Sequence, residues 1–196
     1  VQPELAAECG VRSPRAIMLF GPPGTGKTTF ARAVASRLSW PFVELLPTRL
    51  TTEPSSLAAA LREEFAVIER LDRVVVFWDE IEDHAGARGP GVMPAAHAVT
   101  NELLKLIPSF RQQNNHLLIA ATNDVRRIDP AILRPGRFDY IIPVGLPDHG
   151  ARADMLSKRV GGRGVDLDAL VAASELLTAA ELDHVASVAA QVAFER

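Results

Sequence analysis

Short runs of consecutive apolar residues alternate along this chain with stretches in which apolar positions recur every three or four residues. The runs Ala16-Ile17-Met18-Leu19-Phe20, Phe42-Val43-Glu44-Leu45-Leu46, Val74-Val75-Val76-Phe77-Trp78, Leu117-Leu118-Ile119-Ala120 and Tyr140-Ile141-Ile142-Pro143-Val144 predict strands. Val74 to Trp78 is apolar at every position, as a strand buried on both faces of a parallel sheet must be. Between the runs, Phe30, Ala31, Val34, Ala35 and Leu38 recur at helical spacing, and Leu57, Leu61, Phe65 and Ile68 mark the core face of a helix ending near Leu71. A further helix is predicted from about Ala95 to Ile107, and Asp129-Pro130 opens a short turn that Pro135-Gly136 stops. Strands alternating with helices predict an α/β three-layer domain with a mostly parallel five-stranded sheet, whose ligands sit at the C-terminal ends of the strands.

From Pro147 the pattern is helical only, over roughly His149 to Arg159, Asp166 to Ala173 and Thr178 to Phe194. Thr178-Ala179-Ala180-Glu181 is a capping-box sequence, with an apolar stripe of Leu182, Val185, Ala186, Ala189 and Val192 behind it. Helices this short cannot make a self-sufficient core. We therefore expect a core over residues 1–147 and a small, incomplete all-α lid over residues 148–196. Val1 to Pro14 reads as a lead-in with a helical piece around Glu4 to Glu8, Thr51 to Ser56 as a turn-rich connector, and Gly86 to Gly91 as a flexible loop.

The chemistry begins where the first run meets its helix. Gly21-Pro22-Pro23-Gly24-Thr25-Gly26-Lys27-Thr28, followed by Thr29, fits the phosphate-loop pattern, in which glycines let successive backbone N–H groups turn toward a polyphosphate. A helix N-terminus directly after the loop favours an anion there. Lys27 can reach the β and γ phosphates, and the Thr28 hydroxyl can ligate Mg²⁺. A glycine-rich turn with no ligand is the plain alternative, but the strand before and the helix after are both in register with the motif. Asp79-Glu80 at the end of an apolar strand supplies the matching acids: Asp79 to hold Mg²⁺ and Glu80 to polarise an attacking water. Glu82 and Asp83 are read as solvated charges. Asn123, at the end of the fourth run, is equally a turn residue or a hydrogen-bonding partner for a γ-phosphate oxygen and the water.

Composition narrows the classes. Hydrophobic residues make up 47% and charged residues 23% of 196, ordinary for a globular protein, and the formal net charge of -3 gives no basic field for nucleic acid or anionic membrane. The single cysteine, Cys9, cannot form an intrachain disulfide and suits a reducing compartment, where it serves as a small apolar filler. No apolar run is long enough to cross a bilayer and no signal-peptide pattern begins the chain, so a cytoplasmic setting is expected. The initial Val suggests an excised fragment.

Four segments together resemble the AAA ATPase domain of the AAA+ superfamily: Gly21 to Thr28, Val74 to Glu82, Ala120 to Asp124, and Ile128 to Asp148. The likeness covers nearly the whole chain. It implies ATP or ADP with Mg²⁺ as ligands, and Asn123 as the sensor of the γ phosphate. Arg134 and Arg137 become arginine fingers reaching a neighbouring subunit's nucleotide, and Ala180 belongs to the small-residue signature of the lid helix facing the adenine, with Ala179 where glycine is usual. Without the resemblance, two arginines beside a Pro-Gly turn would be surface charges. It further implies a homo-oligomeric ring, a hexamer, acting on a protein partner rather than nucleic acid.

Two departures qualify this. Thr48-Arg49-Leu50-Thr51-Thr52-Glu53, where threading members carry a pore aromatic, has none, and Arg159 stands about where many members place a lid histidine near the ribose. The expected function is a Mg-ATP-hydrolysing ring that remodels a macromolecular partner. The alternatives are a slowly hydrolysing nucleotide-gated switch or scaffold without threading, and a DNA-directed relative whose sign would be salt-sensitive DNA binding.

Overall fold

The computed structural model describes residues 13–47, 56–86, 94–113, 115–161 and 164–195. The expected helical piece at Glu4 to Glu8, Cys9, the segment Thr48 to Glu53 and most of the Thr51 to Ser56 connector and of the Gly86 to Gly91 loop lie outside these residues.

Five strands, β1 (Ala16–Phe20), β2 (Phe42–Leu45), β3 (Val74–Trp78), β4 (His116–Thr122) and β5 (Tyr140–Pro143), form one sheet in the order β2-β3-β4-β1-β5, with every pairing parallel. The connections carry helices α1 (Lys27–Leu38), α2 (Leu57–Ile68) and α3 (Pro94–Phe110). Alternation along the strands divides the core in two. Ala16, Met18, Val74, Val76 and Trp78 pack with Leu57, Leu61, Phe65 and Ile68 of α2 and Leu103, Ile107 and Phe110 of α3. Ile17, Leu19, Val75, Phe77 and Ile119 face the other way, onto Ala31 and Ala35 of α1. Helices on both faces of a parallel sheet make the three-layer α/β architecture of P-loop NTPases. β1 sits between β4 and β5, so the C-terminal ends of β1, β3 and β4 open at one edge of the molecule, where the strand order reverses.

Three expectations shift in detail. β4 extends to Thr122, since Thr122 pairs with Phe20 and His116 with Val74. α3 passes through Pro108 to Phe110, whose buried ring meets Phe65 edge-on at 5.6 Å and stacks on His116 at 5.1 Å; this burial outweighs the hydrogen bond that proline removes. In α1 the apolar residues that turn inward are Ala31 and Ala35, with Val34 partly buried beside them, leaving Phe30 and Leu38 exposed.

After β5 come α4 (His149–Val160), α5 (Leu167–Ala173) and α6 (Ala179–Phe194), with a small core of their own from Leu156, Val171 and Leu182. Asp148, Asp166 and Thr178 cap them, and the Thr178–Glu181 capping box is present as expected. The apolar stripe of α6 buries only Leu182; Val185 and Val192 remain exposed.

Candidate functional site

A cavity of about 710 Å³ opens above the C-terminal strand ends, lined by Pro23 to Thr29 of the loop, by Asp79, Glu80 and Asn123, and by Met155, Ala179, Ala180 and Asp183 from the helices after β5. Its size is that of a pocket for a nucleotide-scale ligand.

The loop earns its shape from three glycines in conformations that side chains resist. Gly24 and Gly26 have φ of +76° and +93°, and at Gly21 a Cβ would stand 2.1 Å from the Val144 carbonyl oxygen. Gly26 caps α1 without a side-chain bond, so no capping side chain occupies the first-turn N–H groups. Together with the helix dipole they form an anion cradle, and a Cβ at Gly26 would meet open space, which leaves room for a phosphate against the backbone.

Lys27 is buried, and its ammonium uses all three donors: to the carbonyls of Gly21 at 2.9 Å and Pro22 at 3.0 Å, and to Asn123 Oδ1 at 2.8 Å. Burial pulls its pKa below the ordinary lysine value, opposed by the charges of Asp79, Glu82 and Glu80. Phosphate oxygens placed against it favour the charged form again. The Thr28 hydroxyl donates to Asp79 Oδ2 at 3.1 Å, which sets two hard oxygen ligands side by side. That donor set fits Mg²⁺, which takes one or two protein oxygens and completes its shell with phosphate and water. Asp79 Oδ1 accepts from the Glu80 N–H at 3.0 Å, and Glu80 adopts a left-handed backbone (φ 50°, ψ 44°) that leaves its side chain exposed at the cavity wall. Strained backbone of this kind, at a cost of about 1–3 kcal/mol, concentrates at functional positions.

Thus Pro23 to Thr29, Asp79, Glu80, Asn123 and Ala180 converge on one cavity. Gly21 and Pro22 act beneath it, through their carbonyls to Lys27. Arg134 and Arg137 do not line this cavity. Arg134 is exposed, while Arg137 is half-buried and donates to the Ala131 carbonyl, with its Nε buried and without a partner among the described residues.

One sequence expectation is overturned. Glu82 is not a solvated charge: it is 4% exposed, and its Oε1 accepts from the Asn123 N–H at 2.9 Å. The 3₁₀ turn Ile81–Asp83 rotates it inward while Asp83, pairing with Arg127, faces out. Charge type alone carried no signal of that rotation. Met155 and Asp183 were also missed; Asp183 pairs with Arg159 across α6 and α4 at the cavity's far wall, so Arg159 is engaged near where the lid histidine was sought.

Comparison with known proteins agrees with this geometry. Residues 17–146 match the family model described as "ATPase family associated with various cellular activities (AAA)". The chain is 36% identical over 200 residues to ATP-dependent zinc metalloprotease FtsH 3 of Sphaerobacter thermophilus, covering 99% of this chain and 41% of that protein. It is 34% identical to the proteasome-activating nucleotidase of Methanococcus maripaludis, covering 97% of this chain and 49% of the relative. Against the probable 26S proteasome regulatory subunit 10B of Caenorhabditis elegans the identity is 35%, over 98% of this chain and 50% of the relative. The chain therefore spans half or less of the length of the curated relatives it matches.

Proposed function

This chain belongs to the AAA family of ATPases, and we propose that it binds Mg-ATP in the cavity above β1, β3 and β4 and hydrolyses it within a ring of like subunits to remodel a protein partner. ATP hydrolysis is the family's activity; the residue roles, the ring and the partner are our reading. The observation that carries it is the meeting of Lys27, Thr28, Asp79, Glu80 and Asn123 with an uncapped helix turn around one cavity.

In this reading the N–H groups from Gly24 to Thr29 hold the phosphates, and the Lys27 ammonium joins them by exchanging one of its three protein acceptors for a phosphate oxygen. Thr28 and Asp79 would hold Mg²⁺, which would supply neutralisation of the negative charge on the phosphates. Glu80 orients the attacking water and takes its proton, while the Asn123 amide bridges that water and a γ-phosphate oxygen. Ala179 and Ala180, with Met155, supply small and apolar lining against which the base can pack. Arg134, exposed and away from its own cavity, is the better placed finger for a neighbour; Arg137, tied to Ala131, braces the turn that carries it. We further propose residues 1–147 as the ATPase core, residues 148–196 as a lid that moves against it, a hexameric ring, and a cytoplasmic setting. Among the described residues no helix is long and apolar enough to cross a membrane. The names of the relatives, a protease and proteasome-linked ATPases, support a protein as the partner.

The segment Thr48 to Glu53 contains no aromatic residue. That favours, as a second reading, a nucleotide-gated switch or scaffold that hydrolyses slowly and threads nothing.

Mixing separates a ring enzyme from a self-sufficient one. Arg134→Ala retains its own acids and Glu80→Gln retains its arginines, so mixed subunits are expected to recover turnover that each lacks alone, and parent specific activity is expected to rise with protein concentration. Full activity of Arg134→Ala alone, or activity independent of concentration in a monomer, would contradict the proposal.

A further inference from the structure

The geometry points to Glu82 as the positioning residue for Asn123, fixing the height at which the Asn123 amide meets the γ phosphate. This rests on the assignment of Asn123 given above and extends it to the element that holds it. Glu82 and Asn123 lie 41 residues apart on different strand ends, and a single 2.9 Å hydrogen bond from the Asn123 N–H to Glu82 Oε1 joins them. The same asparagine's Oδ1 accepts from Lys27 at 2.8 Å, so the carboxylate, the Asn123 backbone, its amide and the loop lysine form one continuous chain. The turn bearing Glu82 is itself clamped to the segment after β4: the Asp129 N–H donates to the Ala85 carbonyl at 2.9 Å, and Gly86 bridges Ile128. Ile81, fully buried, pins its base.

The choice of side chain argues against a packing role. Glu82 Oε2 is buried and has no hydrogen-bond partner among the described residues. A buried carboxylate oxygen left unpaired is destabilising, and an apolar side chain of equal volume would spare the fold that cost. Glu82 is therefore suited to aiming the Asn123 backbone, a task for which an apolar side chain has no acceptor.

Two variants of nearly equal volume separate these roles. Glu82→Gln keeps an oxygen that accepts from the Asn123 N–H; Glu82→Met fills the same space with none. We expect Glu82→Met to lower kcat for ATP about tenfold to a hundredfold, the scale of a misplaced catalytic group, with KM within about twofold and the melting temperature little changed. Glu82→Gln is expected to stay within about threefold of the parent. In an Asn123→Ala background, Glu82→Met should lower kcat no further, since the residue to be aimed is gone.

The inference is overturned if Glu82→Met turns over like the parent while Asn123→Ala is slow. It is equally overturned if the two substitutions multiply, or if Glu82→Gln is as slow as Glu82→Met. If Asn123→Ala itself leaves kcat unchanged, the assignment of Asn123 has failed instead, and the inference falls with it.

Discussion

Replacing Gly24 with alanine strikes the point where the helices after β5 rest on the phosphate loop. Gly24 has φ +76°, and a Cβ there would stand 3.0 Å from Ala180 Cβ and 3.1 Å from Thr178 Oγ1. Its carbonyl accepts the Ala180 N–H at 3.1 Å, and the capping box stiffens the start of α6. The left-handed conformation costs alanine about 1–2 kcal/mol. If α6 recoils from the methyl, the Ala180 hydrogen bond goes too, at about 1 kcal/mol. The free loop can relax away from this strain, but nucleotide binding imposes the geometry again. The resulting roughly 2–3 kcal/mol corresponds to about 30- to 150-fold weaker binding.

Gly26→Ala isolates the strain. Its φ is +93° and a Cβ there meets nothing within 4 Å, so the left-handed cost of about 1–2 kcal/mol acts alone, about 5- to 30-fold. Titration of each variant with a fluorescent ATP analogue gives both affinities. Gly24→Ala is expected to bind about fivefold more weakly than Gly26→Ala, the share of the lost hydrogen bond. Equal affinities for the two variants, or parent-like binding by Gly24→Ala, would refute the argument that the loop and α6 are coupled through this glycine.

Two further outcomes concern stability and pH. Gly21→Ala forces a methyl toward the Val144 carbonyl oxygen, 2.1 Å away, and endangers the 2.8 Å bond from the Val144 N–H to the Phe20 carbonyl. Overpacking of about 1–3 kcal/mol plus about 1 kcal/mol for the bond lowers the melting temperature by roughly 4–16 °C for a chain of this size; circular dichroism showing a change below about 2 °C would contradict it. Burial raises the pKa of Asp139, but the Arg15 N–H, the Arg111 guanidinium and the Ala16 N–H together outweigh it and hold the carboxyl below its ordinary 3.8. A depressed folded pKa gives stability that is present above the unfolded value and lost as pH falls through the folded one. Melting of parent and Asp139→Asn is therefore expected to differ most near neutrality and to converge below about pH 4, and a gap constant down to about pH 3 would show that Asp139 does not act through its charge.

Much of this was legible in the sequence because local pattern and tertiary demand agree. Val74 to Trp78 is apolar at every position, and both its faces are buried. The four core-face positions predicted for α2, Leu57, Leu61, Phe65 and Ile68, are its four buried residues. The phosphate loop announces itself by spacing, since its glycines serve backbone geometry that no other residue supplies. What stayed hidden depends on rotation and on distant partners. Glu82 follows Asp79 and Glu80 in an acidic run, and only the left-handed turn at Glu80 sends one carboxylate toward the cavity and another into the core. Asp183 sits on a helix whose apolar stripe suggested a buried face, yet that stripe stays largely exposed and the aspartate lines the cavity.

The central claim is that a triphosphate held by Lys27 and the loop N–H groups, with Thr28 and Asp79 as the oxygen ligands for its Mg²⁺, is cleaved by water that Glu80 activates. Single-turnover hydrolysis of radiolabelled ATP by Glu80→Gln, with retained nucleotide counted after gel filtration, tests it most directly. The account expects uncleaved ATP to remain bound at parent-like affinity while phosphate release falls by about 10²-fold or more, the contribution of a positioned general base. Phosphate release at the parent rate would remove Glu80 from the chemistry and contradict the account.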